Sequence, residues 1–324
     1  MRAAMDVAQY GIGPIGAEIA RLLLTKPWVR LVAAVDIDPQ KIGKDLGEVI
    51  GLGRTTGLKV TAALQGNPEV VCHSTGSRLR EVSGQLEDLL GRGCHVVSTC
   101  EELSFPLDAA VRATLQQIAQ SKHVTLLGTG VNPGFVMDKL PLTLTAVCQS
   151  IKSVDIIRIQ NASTRREPLQ RKVGAGMSVA EFRAAVEAGK IKHMGLRESL
   201  MLVGSGLGVE FEQVSGEKIE PIVAQREVVT QYLKVAPGQV AGVHQTIDGK
   251  GKIDVRLELR MYVGAEDVAA DRVIVKGVPD LELEIKGGVH GDRATAAMVV
   301  NAIPRVVKAR PGVLTMDDIP VSYR

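Results

Sequence analysis

A glycine-rich turn close to the N-terminus constrains the fold of this chain more than any other feature. Gly11-Ile12-Gly13-Pro14-Ile15-Gly16 follows a predicted strand at residues 7–10 and begins a predicted helix at residues 14–24. In such a unit the first glycine permits a tight turn, the second lets the backbone approach a pyrophosphate, and the third lets helix and strand pack closely. The pattern predicts a parallel α/β domain with a phosphate site at the helix N-terminus.

Asp36 supplies the second half of this dinucleotide signature. It lies 20 residues beyond Gly16, at the end of a predicted strand at residues 31–35. A carboxylate there accepts hydrogen bonds from an adenosine ribose and repels a 2′-phosphate, so NAD is the first cofactor expected. Lys41 and Lys44 can offset that charge, and NADP therefore stays open, although a solvated helix face is the commoner role for such lysines.

The rest of the first 140 residues alternates between strand and helix patterns. Further strands are predicted at residues 70–74, 95–99 and 124–127, with helices at 79–90 and from Pro106 onward, and with a short helical segment opening at Asp38-Pro39. Strands separated by helices of this length indicate βαβ units and a parallel sheet.

The pattern changes after residue 140. Strands are predicted at 154–160, 228–235, 252–263, 272–276 and 281–286, and helices at 178–188, with a Ser178–Glu181 capping box, and at 292–309. Residues 252–263 alternate apolar and charged side chains, as in an antiparallel sheet with one wet face. We predict an α/β fold: a Rossmann-type parallel-sheet domain at residues 1–140, a second α+β domain with a largely antiparallel sheet at 141–290, and a return to the first domain at 291–324. The second domain is expected to bind substrate and form a dimer.

Two adjacent carboxylates follow the strand predicted at residues 95–99. Glu101 and Glu102 leave the carboxyl end of a parallel strand, where open α/β sheets place ligands. Beside a nicotinamide they can carry out proton chemistry. The alternative is that both are loop residues facing solvent, or that one caps the helix after Pro106. Cys100 precedes them, and a buried structural cysteine is commoner than a nucleophile.

Two further loops follow predicted strands near the same crevice. Ser74-Thr75-Gly76 ends one strand, and Gly128-Thr129-Gly130-Val131-Asn132-Pro133-Gly134-Phe135 follows another and is expected over the nicotinamide end of a cofactor. Ordinary turn chemistry is the alternative for both loops. The predicted cofactor-binding residues are Gly11, Ile12, Gly13, Pro14, Ile15, Gly16, Asp36, Ser74, Thr75, Gly76, Cys100 and Asn132.

Basic side chains offer candidates for substrate recognition. Arg166 lies in a group with Arg165 and Arg171 and can bind a substrate carboxylate by a bidentate contact. A solvated loop or a dimer rim is the alternative. His290 precedes the last predicted helix and is the best placed of the six histidines, although a lone histidine is more often structural.

Composition excludes several classes of protein. A net charge of +3 and only 1 Trp, 4 Tyr and 4 Phe argue against a nucleic-acid surface. The 4 cysteines form no C-x-x-C pair, so no metal site is predicted. No apolar run is long enough for a membrane helix, and Asp6 with the glycine turn occupies the place of a signal peptide's apolar region. A cytoplasmic protein with no membrane partner is expected.

Several of these motifs together resemble the 2,4-diaminopentanoate dehydrogenase family and the native amine dehydrogenases related to it. The resemblance rests on the glycine turn, Ser98-Thr99-Cys100-Glu101-Glu102-Leu103, the loop from Gly128 to Phe135, Gly291-Asp292-Arg293-Ala294-Thr295 and Asn301-Ala302-Ile303-Pro304. It covers nearly the whole chain. The chain lacks the E-x-H-H-x-x-K motif of true dihydrodipicolinate reductases.

The resemblance implies a two-domain fold like that of dihydrodipicolinate reductase, usually as a homodimer. It implies that the catalytic glutamate is Glu102, with Glu101 left open. It also implies that the segment containing Phe135, Met137 and Leu140 lines the substrate pocket. Leu140 replaces a bulky aromatic of some relatives, which implies a roomier pocket here.

The resulting functional prediction is an NAD(P)-dependent amine dehydrogenase. Such an enzyme reversibly deaminates a small amine or diamino acid and, in reverse, aminates a ketone or aldehyde with ammonia. The alternatives are an imine or carbonyl reductase of the dihydrodipicolinate reductase type and a dinucleotide-binding protein without catalysis. The physiological amine, the choice between NAD and NADP, and the recognition of a substrate carboxylate stay open.

Overall fold

The computed structural model describes residues 4–323, which divide into two compact units. One unit combines the described residues up to Phe135 with those from His290 onward, and the other is Val136–Val289. Each unit has its own sheet.

The first unit begins with an alternation of strands and helices. Its elements are β1 (Met5–Tyr10), α1 (Pro14–Leu23), β2 (Val29–Val35), α2 (Leu46–Val49), β3 (Val60–Thr61), β4 (Val70–His73), α3 (Leu79–Gly91), β5 (His95–Ser98), a 3₁₀ turn (Glu101–Leu103), α4 (Ala109–Ser121) and β6 (Thr125–Gly128).

The second unit contains short helices followed by a series of strands, after which the chain returns to the first unit. The helices are α5 (Lys139–Thr145), α6 (Glu167–Lys172), α7 (Val179–Glu187) and α8 (Leu196–Gly206). The strands are β7 (Ser150–Asn161), β8 (Gln213–Val214), β9 (Lys218–Val223), β10 (Val228–Val229), β11 (Lys234–Val235), β12 (Val240–Lys250), β13 (Asp254–Tyr262), β14 (Ala270–Val278) and β15 (Leu281–Lys286). The first unit ends with α9 (Gly291–Val306) and β16 (Gly312–Leu314).

The sheet of the first unit is parallel throughout its described strands. Its order is β16-β6-β5-β4-β1-β2-β3. The order reverses between β1 and β4, and the carboxyl ends of strands at such a switch point form the crevice in which α/β folds bind ligands. The glycine turn follows β1 and Ser74-Thr75-Gly76 follows β4, so the fold brings the two loops to that crevice.

Apolar side chains bury both faces of this sheet. Helices α3 and α4 cover one face through Leu86, Leu89 and Leu115, which are fully buried with the strand residue Val96. Helix α9 packs beside α1. Burial on both faces explains why these strands are continuous apolar runs instead of alternating ones. The predicted Rossmann-type α/β domain is confirmed.

The sheet of the second unit is largely antiparallel, as predicted, and includes one parallel pair. The order is β15-β14-β7-β13-β12, with β8 and β9 both paired to β12. The central pair, β13 and β7, runs parallel. The expectation of alternating faces in β13 is also corrected at one position, because Glu258 is buried and Arg260 compensates its charge, with Arg260 Nε donating to Glu258 Oε1 (2.6 Å).

Three predicted elements differ from the structure. The segment opening at Asp38-Pro39 forms turns, and the first helical residues after it belong to α2, where the Asp45 side chain accepts from Gly47 N. The helix expected from Pro106 begins at Ala109, because Asp108 caps it by accepting from Val111 N. The single strand expected at 228–235 is the hairpin of β10 and β11. The Ser178–Glu181 capping box is confirmed at α7.

A buried ion pair organises the end of the second unit. Arg158 on β7 and Asp271 on β14 approach to 2.6 Å with both side chains 3% exposed. Asp271 Oδ2 accepts from Val289 N (2.7 Å), and Arg158 Nη2 donates to Val289 O (2.9 Å). The pair therefore fixes the backbone of the last residue of this unit.

We expect Asp271→Ala to lower the free energy of unfolding by about 3–5 kcal/mol, because Arg158 would stay buried without its counter-charge. Urea denaturation monitored by far-UV circular dichroism measures the loss. The double variant Arg158→Met with Asp271→Leu removes both charges and should lose clearly less than Asp271→Ala. Equal stability of Asp271→Ala and the wild type would contradict this account of the pair.

Candidate active site

The glycine turn after β1 is as tight as its sequence pattern predicts. Gly11 has a φ of +87°, and a Cβ there would lie 2.5 Å from Ser74 O. A Cβ on Gly16 would lie 1.9 Å from Gly11 O, because α1 passes directly against the turn. Both positions require glycine for reasons internal to the fold.

Gly13 differs from its two neighbours. Its φ of −71° suits any residue, and no heavy atom of the described residues lies within 4 Å of the position of a Cβ. Gly13 is the N-cap of α1, with Pro14 in the first turn and no side chain capping the helix. Open space above backbone N–H groups at a helix N-terminus fits an approaching phosphate. The residues present therefore fit the pyrophosphate of a dinucleotide.

Gln9 hydrogen-bonds to the turn from within β1 and is not among the site residues predicted from the sequence. Its Nε2 donates to Gly11 O (2.8 Å) and to Ser74 Oγ (2.9 Å), and Ser74 Oγ donates to Gly11 O (2.9 Å). Gln9 is fully buried in β1. A glutamine within a short apolar strand directly before a glycine turn is the signal that could have identified it.

Asp36 is held against the turn by several donors. Its Oδ2 accepts from Ile12 N (2.8 Å) and its Oδ1 from Asp38 N (2.9 Å). Lys41 Nζ lies 3.0 Å from Oδ2. Burial alone would raise the pKa of Asp36, but the hydrogen bonds from Asp38 N, Lys41 and Ile12 N outweigh it and lower the pKa. Asp36 is therefore an ionised acceptor beside the turn, where an adenosine ribose would lie. The neighbouring Ile37 side chain is 83% exposed.

A buried histidine connects the ends of β4 and β5. His73 Nδ1 lies 2.9 Å from Ser98 Oγ, while Nε2 lies 2.9 Å from both Gln85 Oε1 and Thr75 Oγ1. Because Gln85 Oε1 can only accept, Nε2 carries the proton and Nδ1 accepts from the Ser98 hydroxyl. Ser98 Oγ accepts in turn from Cys100 N (3.1 Å).

His73 is neutral in this network. Burial lowers its pKa to about 4, although the hydrogen bond with Gln85 opposes the shift. The ring also stacks on Tyr10, with centroids 5.7 Å apart. Through Ser98, neutral His73 links the end of β4 to Cys100, the residue before the predicted carboxylate pair, without adding a charge.

The predicted carboxylates lie in the 3₁₀ turn Glu101–Leu103. Glu102 Oε2 accepts from Leu79 N (2.7 Å), and Glu102 N donates to Ser77 O (3.2 Å). The alternative in which a glutamate caps the helix after Pro106 does not hold for Glu102: it accepts from the first N–H group of α3, and Asp108 caps α4. A Cβ on Gly128 would lie 2.5 Å from the Leu103 carbonyl carbon, so the 3₁₀ turn packs directly against β6.

Cys100 is buried next to the carboxylate turn. Its side chain is 1% exposed, and its Sγ donates to Ser77 O (3.3 Å). Burial raises the pKa of the thiol to about 12. A thiol in this state is not a nucleophile at neutral pH.

The loop after β6 is anchored within the first unit. Val131 N donates to Thr295 Oγ1 of α9 (3.2 Å), and Thr129 Oγ1 donates to Met316 Sδ (3.0 Å). Gly134 has a φ of +126°, and the Asn132-Pro133 peptide bond is cis. Asn132 is half-buried in this loop.

The predicted substrate-binding residues are distributed between the two units. Phe135 and His290 belong to the first unit, where His290 is exposed and caps α9. Met137, Leu140 and Arg166 belong to the second unit. There Met137 is fully buried, Leu140 is half-buried, and Arg166 is exposed at the start of α6.

These features together define a dinucleotide-binding α/β protein with a carboxylate segment at a neighbouring strand end. The model of a protein family described as "2,4-diaminopentanoate dehydrogenase C-terminal domain" matches residues 135–323. The chain belongs to this family.

Full-length comparisons agree with that assignment. A 2,4-diaminopentanoate dehydrogenase from Acetoanaerobium sticklandii is 28% identical, covering 98% of this chain and 94% of the relative. The solved structure of an amine dehydrogenase from Mycobacterium smegmatis is 26% identical, with a TM-score of 0.87, 100% of this chain and 98% of that chain covered. A dihydrodipicolinate reductase from Paenisporosarcina sp. TG-14 has a TM-score of 0.56 at 14% identity, covering 98% and 100% of the two chains. This last likeness concerns the fold and confirms the expected resemblance to that reductase.

Membrane insertion of a helix is not supported. Among the helices of residues 4–323, none combines the length and apolar character needed to cross a bilayer.

Gly13→Ala should separate ligand binding from folding. We expect it to weaken NADH binding by roughly tenfold or more, or about 1.4 kcal/mol, because its Cβ occupies the space above the helix N-terminus. The free energy of unfolding should change by less than about 1 kcal/mol.

Gly16→Ala is the matched control and should lose about 3 kcal/mol of stability, since its Cβ meets backbone. Fluorescence titration measures the NADH affinity of each variant, and urea denaturation measures its free energy of unfolding. Unchanged NADH affinity in Gly13→Ala would refute a phosphate site at this turn.

His73 should make folding stability depend on pH. In the unfolded chain a histidine has a pKa of about 6.5. Because the folded value is lower, the unfolded state binds the proton first, and stability is lost as pH falls from 6.5 toward 4. We expect His73 to account for about 2 kcal/mol of the loss between pH 7 and pH 5.

Urea denaturation at the two pH values tests this contribution. His73→Gln should lack it and show a correspondingly smaller loss between pH 7 and pH 5. His123→Gln, at an exposed turn, should keep the wild-type pH dependence. The same pH dependence in the wild type and His73→Gln would show that His73 is not buried as a neutral side chain.

Proposed function

We propose that this chain is an NAD(P)-dependent amine dehydrogenase. It catalyses the reversible oxidative deamination of a small amine and, in reverse, the amination of a ketone or aldehyde with ammonia. The observation that carries the proposal is full-length similarity to a 2,4-diaminopentanoate dehydrogenase, with 98% of this chain covered. The open glycine turn and the ionised Asp36 agree with a nicotinamide dinucleotide as cofactor.

Different residues of the chain are proposed to bind the cofactor and to transfer protons. A bound nicotinamide dinucleotide supplies hydride exchange. The N–H groups at the start of α1 would hold its phosphates, and Asp36 would accept hydrogen bonds from the ribose hydroxyls. A carboxylate of the Glu101–Leu103 turn stabilises the cationic iminium form of the substrate and accepts protons from ammonia or the carbinolamine.

Glu102 is our first choice for that carboxylate, with Glu101 as the alternative. The hydrogen bond from Leu79 N holds one oxygen of Glu102 and thereby orients the carboxylate. An oriented carboxylate is better suited to stabilise a developing positive charge than a mobile one, because it needs no reorganisation during the reaction.

Finer parts of the proposal concern the cofactor, substrate and assembly. We infer a preference for NAD, because Asp36 disfavours a 2′-phosphate, and recognition of a substrate carboxylate, where present, by Arg166. Phe135, Met137 and Leu140 are proposed to bind substrate because of the family resemblance, and His290 because it directly precedes the last helix. We also propose that the chain forms a homodimer and is located in the cytoplasm.

Glu102→Gln isolates the chemistry of the carboxylate. The amide oxygen of glutamine can still accept from Leu79 N and cap α3, but the side chain cannot take a proton or balance a positive charge. We expect kcat for reductive amination to fall by about 10²-fold or more, with NADH affinity little changed. Stopped-flow kinetics and NADH titration measure the two effects.

Two further variants serve as controls for this experiment. Glu102→Ala also removes the cap and should lose about 1 kcal/mol of stability in addition to activity. Glu101→Gln should keep most of its turnover. If Glu101→Gln is the inactive variant instead, the catalytic role passes to Glu101. Near wild-type turnover in both glutamine variants would exclude the carboxylate mechanism.

An ammonia requirement distinguishes the proposed reaction from an imine or carbonyl reductase. Oxidation of NADH in the presence of a ketone should depend on added ammonia. Ammonia-independent turnover would favour a reductase, and tight NADH binding without turnover on any amine or ketone would favour a non-catalytic dinucleotide-binding protein.

A further inference from the structure

Lys41 forms an ion pair at the place where cofactor choice is made. Its Nζ lies 3.0 Å from Asp36 Oδ2 and 3.6 Å from Asp38 Oδ2. The Lys41 side chain is 27% exposed, and that of Asp36 is 10% exposed. A solvated helix face is the commoner role for such a lysine, but the structure places Lys41 in turns against the carboxylate of the dinucleotide signature.

We propose that Lys41 is a specificity-determining residue that lets this site accept a 2′-phosphate, and hence NADP as well as NAD. The proposal rests on the dinucleotide site of the proposed function and not on the amine chemistry. Without Lys41, the carboxylates of Asp36 and Asp38, which both lie within 4 Å of its ammonium group, would be left uncompensated and would repel a phosphate dianion.

The position of Asp36 explains why Lys41 lies within reach of a ribose substituent. Ile12 N and Asp38 N fix the Asp36 carboxylate from the turn and from the following loop. A ribose hydroxyl that donates to Asp36 would lie about 3 Å from it, and Lys41 Nζ is 3.0 Å from the same carboxylate. The ester oxygen of a 2′-phosphate would therefore lie within about 6 Å of the ammonium group when both contact the same carboxylate oxygen.

The charge of Lys41 acts unequally on the two cofactors. A 2′-hydroxyl is neutral, so loss of the lysine changes NAD binding only through the orientation of Asp36. A 2′-phosphate carries nearly two negative charges, and an ammonium group about 6 Å away at an effective dielectric constant of about 40, between the values for a protein surface and bulk water, is worth roughly 10- to 100-fold in affinity. Lys41 should therefore determine the ratio of the two affinities and not their common level.

Lys44 provides a matched control on the same segment. It pairs with Glu48 at 3.4 Å, and both side chains are more than half exposed. Lys44→Gln removes the same charge three residues away without touching Asp36. An effect on the Asp36 site should therefore appear in Lys41→Gln and not in Lys44→Gln.

Isothermal titration calorimetry with NAD⁺ and NADP⁺, without any amine present, tests the proposal. We expect the wild type to bind both, Lys41→Gln to bind NADP⁺ about 10- to 100-fold more weakly with NAD⁺ affinity changed by less than about threefold, and Lys44→Gln to resemble the wild type. Lys41→Arg keeps the charge and should keep the wild-type ratio to within about threefold.

Several results would overturn the proposal. They are a wild type that binds NAD⁺ but not NADP⁺, an unchanged affinity ratio in Lys41→Gln, and an equal loss in Lys44→Gln. Binding of neither cofactor would overturn both this inference and the dinucleotide site. Selective loss of NADP⁺ binding in an enzyme that turns over no amine would support Lys41 and count against the dehydrogenase alone.

Discussion

The contact between α1 and the turn after β1 is the constraint on which the first unit depends. Gly16 lies so close to Gly11 O that a single Cβ would come within 1.9 Å of it. This approach fixes the direction of α1, and with it the N–H groups that face the crevice. Asp36 and Ser74 then hydrogen-bond to the same turn, so the ends of β1, β2 and β4 meet around one short segment.

The second ordering element is a polar network, buried at His73 and Ser98 and exposed at Thr75, that reaches from β4 to the carboxylate turn. Thr75, His73 and Ser98 are joined by hydrogen bonds, and Ser98 accepts from Cys100 N, two residues before Glu102. Buried polar groups cost stability unless every donor finds an acceptor, and a satisfied network of this kind permits one arrangement of the segments that it connects. Neutral His73 has hydrogen-bond partners at both ring nitrogens, so the network contains no buried charge at this position.

The sequence was sufficient for the features that depend on local backbone chemistry. The Gly11–Gly16 pattern, the capping box at Ser178 and the apolar strands follow from steric and hydrogen-bonding rules within a few residues. Gln9, the Leu79 cap by Glu102 and the His73 network depend on partners up to 65 residues away, which no local pattern encodes. The parallel pairing of β13 with β7 was missed for the same reason, because alternation of apolar residues defines a wet face but not the direction of the neighbouring strand.

The anchoring of Glu102 bears on how a carboxylate can assist amine chemistry. A proton acceptor must be able to change its charge during the cycle, whereas a group that stabilises an iminium must keep both its charge and its position. Leu79 N holds one oxygen of Glu102 at 2.7 Å, and the turn around it packs against β6 at Gly128. Within the proposed function, this rigidity favours stabilisation of the iminium charge as the main contribution of Glu102 and proton acceptance as the lesser one, since a preorganised charge in a partly desolvated site acts without further reorganisation.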